Sequence, residues 1–302
     1  MRSYLKLFTL AILSFVCTGI YAEEVAKAPS AISTTDDGCK IWLLNGCRIL
    51  EKEKKSSKKM LLNDYRGYKT IDTFEMFPSQ AAISGNGLIG YASAPDPDGK
   101  MFDLYKYARG VRTPQDKPLW QFWGKIIGLS TNYDGDKVIV VTADKKVQYR
   151  DKSGNFILLR EFAGVPNGAV LTGDGKTALI TVDHTTVVKY AYDDGNDTYK
   201  NSGTVYTAKP LDIVIGVASD ANAGKIWIMT RHEDGGYTKL RQGSFGDDFS
   251  KIIYTFDPSN EPWSVTLSGD GNVGYVALSF SWIYRFVWDP SRSSCFVDRI
   301  HY

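Results

Sequence analysis

Beyond residue 78 the chain alternates between short apolar runs and compact clusters of Gly, Asp, Asn and Ser. The runs at 138–142, 179–182, 226–229 and 273–278 are rich in Val, Ile and other large apolar residues. They are too short for helices and are bounded by turn residues, so they predict strands. The pattern also repeats as a unit. Segments starting at Ser84 (SGNGLIGYASA), Thr131 (TNYDGDKVIVVTA), Thr172 (TGDGKTALITV), Ser219 (SDANAGKIWIM) and Ser268 (SGDGNVGYVAL) share one template: small or acidic turn residues, a Gly, then an apolar strand. The aligned glycines are Gly87, Gly135, Gly175, Gly224 and Gly271, at intervals of 40 to 49 residues. Asn86, Asp134, Asp174 and Asp270 precede four of them, and Ala223 breaks the pattern. Pro78, Pro166 and Pro262 stand nine residues ahead of the Gly in three repeats.

Asp-Gly and Asn-Gly supply the positive-φ positions of tight hairpins. Strands are expected to enter the turns at 126–129, 170–171, 213–217 and 265–267. Third strands follow at 104–107, 147–150, 187–192, 237–240 and 283–288, and fourth strands at 120–123, 157–162, 203–207, 252–256 and 296–300. Four strands per repeat of this length predict an all-β fold, a β-propeller of five to six four-stranded blades. A β-sandwich gives no reason for a proline and an Asp-Gly to recur at blade length.

Residues 78–302 hold the five repeats, within a propeller domain spanning 38–302. The part at 38–77 offers strands at 41–44, 48–50 and 70–77 and reads as a partial blade or as strands that close the ring. Residues 23–37 are small, polar and aperiodic, a flexible linker. Residues 1–22 have Arg2 and Lys6 ahead of an apolar stretch and small residues before Glu23, the form of a cleavable signal peptide. The expected address is therefore secreted, extracellular or periplasmic, with no stable membrane insertion after cleavage.

One stretch carries a family resemblance. Pro262-Trp263-Ser264-Val265-Thr266-Leu267-Ser268-Gly269-Asp270-Gly271, followed by Gly274-Tyr275-Val276, is similar to the repeat of the YVTN and lactonase-like propeller superfamily, related to WD-repeat and quinoprotein propellers. The resemblance covers 78–302 and implies the propeller fold. It fixes no activity, because that superfamily includes both enzymes and binding modules.

Aromatic residues make up 13% of the chain and Gly numbers 28, the mixture expected of aromatic strands joined by tight turns. Of the 36 basic residues Arg2 and Lys6 belong to the leader, which leaves 34 against 34 acidic ones. A neutral mature chain lacks the positive field that nucleic-acid binding uses. The one basic run, Lys52, Lys54, Lys55, Lys58 and Lys59, is interleaved with Glu51, Glu53 and serines and reads as a solvated loop. After cleavage Cys39, Cys47 and Cys295 remain, and export makes one disulfide the expectation. Cys39 to Cys47 across a short hairpin is favoured, with a bridge from either to Cys295 as the alternative.

The second-to-third-strand loops and the loops between blades should open on one face, around a central funnel. The residues placed there with ligand-binding character are Asp144, Asp183, His184, Arg231, His232, Trp263 and Trp282. Asp96 and Phe280 fall on the same face. Any one of these positions is also accounted for by the ordinary gathering of polar residues at turns. Asp96-Pro97-Asp98-Gly99 and Asp193-Asp194-Gly195-Asn196-Asp197 resemble fragments of calcium loops. Both lack the later bidentate acid, so they read as hairpin turns and no cofactor is expected. Neither G-x-S-x-G nor H-E-x-x-H occurs, and no catalytic residue is assigned. The sequence thus points to a binding module that presents one funnel face to a protein or glycan. The alternative is a lactonase-like or other propeller hydrolase in which Asp96, Asp144, Asp183 or Glu233 holds a divalent cation.

Overall fold

A computed structural model describes residues 31–53, 68–114, 117–279, 282–289 and 294–301. Within them are six antiparallel sheets built from consecutive strands, spanning 31–73, 80–122, 126–161, 166–207, 212–256 and 262–301. Each sheet has its first strand innermost: Ala31–Thr34, Gln80–Ile83, Ile126–Thr131, Pro166–Leu171, Asp212–Ser219 and Pro262–Leu267. Each inner strand touches the next, and Pro262–Leu267 returns to Ala31–Thr34. The sheets are therefore the blades of a closed six-bladed β-propeller. In the second blade the outer position is shared by Val111–Arg112 and Trp120–Phe122, both paired with Phe102–Ala108.

Six apolar clusters fill the six junctions between blades. The strands that supply them alternate, so each blade buries both faces against its neighbours. At the junction of fifth and sixth blades Trp227 meets Phe286 edge to face, with ring centroids 5.6 Å apart. At the junction of sixth and first blades the buried members among the described residues are Ile32, Ile41, Leu43, Tyr275, Ala277 and Ile283.

The turn template has a bonding logic. Ser268 donates to Asp270 Oδ1 (2.5 Å) and accepts the Val273 N–H (2.9 Å), fixing the hairpin through which Gly271 passes at φ +67°. Thr172 does the same with Asp174 and Thr177, Ser84 with Asn86 and Ile89, and Thr35 with Asp37 and Lys40. In the fifth blade Ala223, at φ +58°, holds the left-handed position assigned above to Gly224. The hairpin register is one residue earlier than the glycine alignment implies.

Three expectations at the N-terminal side change. Ala31–Thr34 is an inner strand, so 31–37 belongs to the propeller and not to a linker. The segment read as a partial blade completes, with that strand, a full blade of four. No disulfide joins Cys39, Cys47 and Cys295. Cys39 and Cys47 flank opposite ends of Lys40–Asn45. The six-residue extended strand between them spans about 20 Å, far beyond the ~7 Å a disulfide tolerates. The leader, residues 23–30, Lys54 to Lys59 and Phe280 lie outside the described residues.

Candidate functional site

All six inner strands line a central channel of about 170 Å³. One end is drawn together by the first-to-second-strand turns. Asp36 N–H donates to Gly85 O (2.9 Å), Asn86 to Tyr133 O (3.0 Å), Tyr133 to Gly173 O (2.7 Å), Asp174 to Ala221 O (3.2 Å), Ala221 to Gly269 O (2.9 Å) and Asp270 to Asp36 O (3.1 Å). These six bonds link turn to turn in an unbroken ring. The other end carries the second-to-third-strand loops and the connections between blades.

Asp144, Asp183, His184, Arg231, His232, Trp263 and Trp282 all stand toward that second face, but their partners divide them. Asp183 and His184 form a tight turn at φ +53° and +54°, locked to the preceding connection by Val165 N–H donating to Asp183 Oδ1 (2.7 Å). The Asn167 amide donates to His184 Nδ1 (3.0 Å), which leaves the ring proton on Nε2. Asn167 also lines the channel, and its buried Oδ1 has no hydrogen-bond partner. Arg231 pairs with Glu261, two residues before the half-exposed Trp263, which lines the channel as well. His232 faces Asp234 at 3.4 Å. Trp282 packs on the core of the last junction and is partly buried.

Asp144 belongs to a separate groove of about 250 Å³ between the second and third blades, lined by Trp120, Trp123, Lys146 and Gln148. Partial burial opposes ionisation of Asp144. The Lys146 ammonium, bonded to it at 2.8 Å, and the Thr142 hydroxyl outweigh that and hold its carboxyl below the usual range.

Sequence reasoning placed Trp263 on this face but missed Phe77, Val165 and Leu211. Phe77, Trp123, Val165 and Leu211 lie within three residues of the start of an inner strand, and Trp263 is the second residue of one. All five are exposed, Trp123 at 79% and Leu211 at 59%. One stands at or just after each of the five connections between blades, and of the five only Trp263 lines the channel. The prolines beside them, Pro78, Pro166, Pro210 and Pro262, were the available signal.

Among the described residues no group of three or more His, Cys, Asp or Glu side chains is placed to hold a metal ion. Asp96, Asp144, Asp183 and Glu233 sit on four different blades. Among the described residues no helix is long and apolar enough to cross a membrane.

Neither a family model nor a curated protein matches the chain. Solved structures do. The β-propeller domain of Myceliophteria thermophila Cps50 (Swd1) aligns over 82% of this chain and 78% of that one, at a TM-score of 0.54 and 10% identity. The fold is a β-propeller. At that identity the likeness speaks for architecture alone.

Proposed function

We propose that this propeller is an exported binding module that docks a protein ligand on the face bearing the connections between blades. The observation that carries the reading is that five large apolar side chains, Phe77, Trp123, Val165, Leu211 and Trp263, are exposed where successive blades connect, all toward that face. A rim of large exposed side chains interspersed with Arg231, Glu261 and Asp183 has the make-up of a protein-binding surface. The resemblance of the repeat at 262–276 to the YVTN and lactonase-like propellers and the leader-like form of 1–22 support this reading.

The test pairs affinity capture from the extracellular or periplasmic fluid with a Phe77→Asp, Leu211→Asp double variant. A ligand held by the parent and lost by a variant of unchanged thermal midpoint supports the reading. Equal recovery by both overturns it. Mass analysis of the exported chain, expected to begin at Glu23, tests the address.

A glycan is the second reading, favoured by the groove where Trp120 and Trp123 oppose Gln148 and the Asp144–Lys146 pair. A flat apolar wall facing amide and charge suits a neutral pyranose, whose C–H face stacks while its hydroxyls bond. Chemical-shift changes of the two indoles on titration with neutral oligosaccharides report it, and their absence removes it.

A further inference from the structure

The ring of six turns has one irregular member. At the position that faces the axis five turns carry Gly85, Tyr133, Gly173, Ala221 and Gly269, and the first carries Asp36. The Asp36 carboxylate fills the space that side chains at Gly85 and Gly269 would need, and a Cβ on Gly173 would lie 3.1 Å from its Oδ2. It lines both the channel and a groove outside the ring, so it partitions the two. Its backbone carries two of the six ring bonds, one to Gly85 and one from Asp270. The second of these crosses the junction of sixth and first blades.

The surroundings are poor in compensation. Asp37 shares its turn, Tyr133 stands on the third turn, Asp220 on the fifth and Asp270 on the sixth. The second and fourth turns line this space with Gly85, Asn86 and Gly173, while the carboxylate of Asp174 on the fourth turn accepts from the Thr172 hydroxyl (2.6 Å). Beyond the ring, among the described residues, Glu53 adds a further carboxylate and Lys40 an ammonium. Lys40 lies 3.8 Å from Glu51 and 3.9 Å from Glu53, so its charge is already shared. Among the described residues no donor is hydrogen-bonded to the Asp36 side chain.

We propose that Asp36 is a proton-sensitive latch on the seam between the sixth and first blades, tightening the ring when its carboxyl is neutral and loosening it when ionised. An ionised group here is partly stripped of water and faces like charges, and both penalties vanish on protonation. Burial first, and then the charges of Asp37 and Asp270, push the carboxyl up from 3.8 to about 6. Because the folded value is the higher one, the added stability is complete below about pH 4. It is lost as pH rises through about 6. The latch is independent of any ligand and goes beyond the binding role.

Thermal unfolding between pH 5 and 7.5 tests it, with Asp36→Asn as the permanently neutral form. The parent is expected to melt about 3 °C higher at pH 5 than at pH 7.5 through this group. Asp36→Asn should melt above the parent at pH 7.5 and lose that part of the slope. Hydrogen exchange of the parent gives a second readout that needs no variant. After correction for intrinsic rates, amides of Ala31–Thr34 and Pro262–Leu267 should be about ten-fold better protected at pH 5, with inner strands of the third and fourth blades little changed. Should Asn leave the pH profile parallel to the parent's, or protection change evenly around the ring, the latch is refuted. If Asp36→Asn fails to fold, the exchange pattern alone decides.

Discussion

The indole of Trp227, in the second strand of the fifth blade, occupies the space that a side chain at Gly274 of the sixth blade would need. Trp42 of the first blade stands in the same relation to Gly90 of the second. In both pairs a bulky ring reaches across a junction onto bare backbone. That close approach sets how tightly the neighbouring blades meet.

A methyl group at either glycine should therefore be destabilising. Gly274→Ala and Gly90→Ala are each expected to cost about 1–3 kcal/mol by overpacking. Gly195→Ala, in an exposed turn whose nearest atom would be Asp193 Oδ1 at 3.4 Å, should stay within about 0.5 kcal/mol. Urea denaturation with unchanged m-values checks all three.

Loss of the turn hydroxyl should cost about as much. Ser268 is fully buried, and Ser268→Ala leaves the Val273 N–H without its acceptor, at about 1–3 kcal/mol. Thr172→Ser keeps the hydroxyl in the equivalent turn and is expected to cost less. Comparing the two denaturation midpoints separates the bond from the packing.

Binding-face and core substitutions should split cleanly. Val276 is fully buried in the second strand of the sixth blade, and Val276→Ala is expected to cost about 2 kcal/mol through the cavity left behind. Arg231→Ala removes a partly exposed pair with Glu261 and should cost less than about 1 kcal/mol, while weakening ligand capture. His232→Ala, with its Asp234 partner largely in solvent, should behave likewise. Loss of thermal stability in Arg231→Ala equal to that of Val276→Ala would recast the residue as structural.

Reducing agent should leave the thermal midpoint where it is. Cys39 and Cys47 sit at opposite ends of one strand, so no short-range crosslink contributes to stability. Cys295 is further protected because burial raises its thiol, an effect that Lys225 and Lys251 only partly oppose. Slow alkylation of Cys295 in the native protein, followed by mass spectrometry, is the expected observation.

What could be read in the sequence was local and repetitive. The Ser/Thr-x-Asp/Asn-Gly turn announces itself because hydroxyl, carboxylate and left-handed residue must stand at fixed spacing. The first blade also carries it, as Thr35-Asp36-Asp37-Gly38, yet its inner strand Ala31–Thr34 is four residues long and emerges from a small-residue stretch. That hid the sixth repeat. In the fifth blade Ala223 takes up a backbone angle usually left to Gly, so the glycine alignment slipped by one. The candidate surface was harder to see for a different reason. Phe77, Trp123, Val165, Leu211 and Trp263 are isolated along the chain, and only closure of the ring gathers them. Asp36 looked like any turn carboxylate until five neighbouring turns were seen to leave it space.

Because every described sheet is assembled from consecutive strands, the blades are exchanged as whole modules and no strand is donated across the seam. The order in which they are written in the chain is then separable from the ring they build. A circular permutant opened between 163 and 164, with residues 301 and 31 joined through a short polar linker, would run from the fourth blade to the third. It would recreate the old seam as an ordinary covalent junction and move the vulnerable one to a junction packed with Tyr149, Phe162, Tyr190 and Tyr199. Such a molecule should gain rigidity around Asp36 and surrender it between the third and fourth blades. The covalent break in such a ring can thus be moved from one junction to another without altering a single blade.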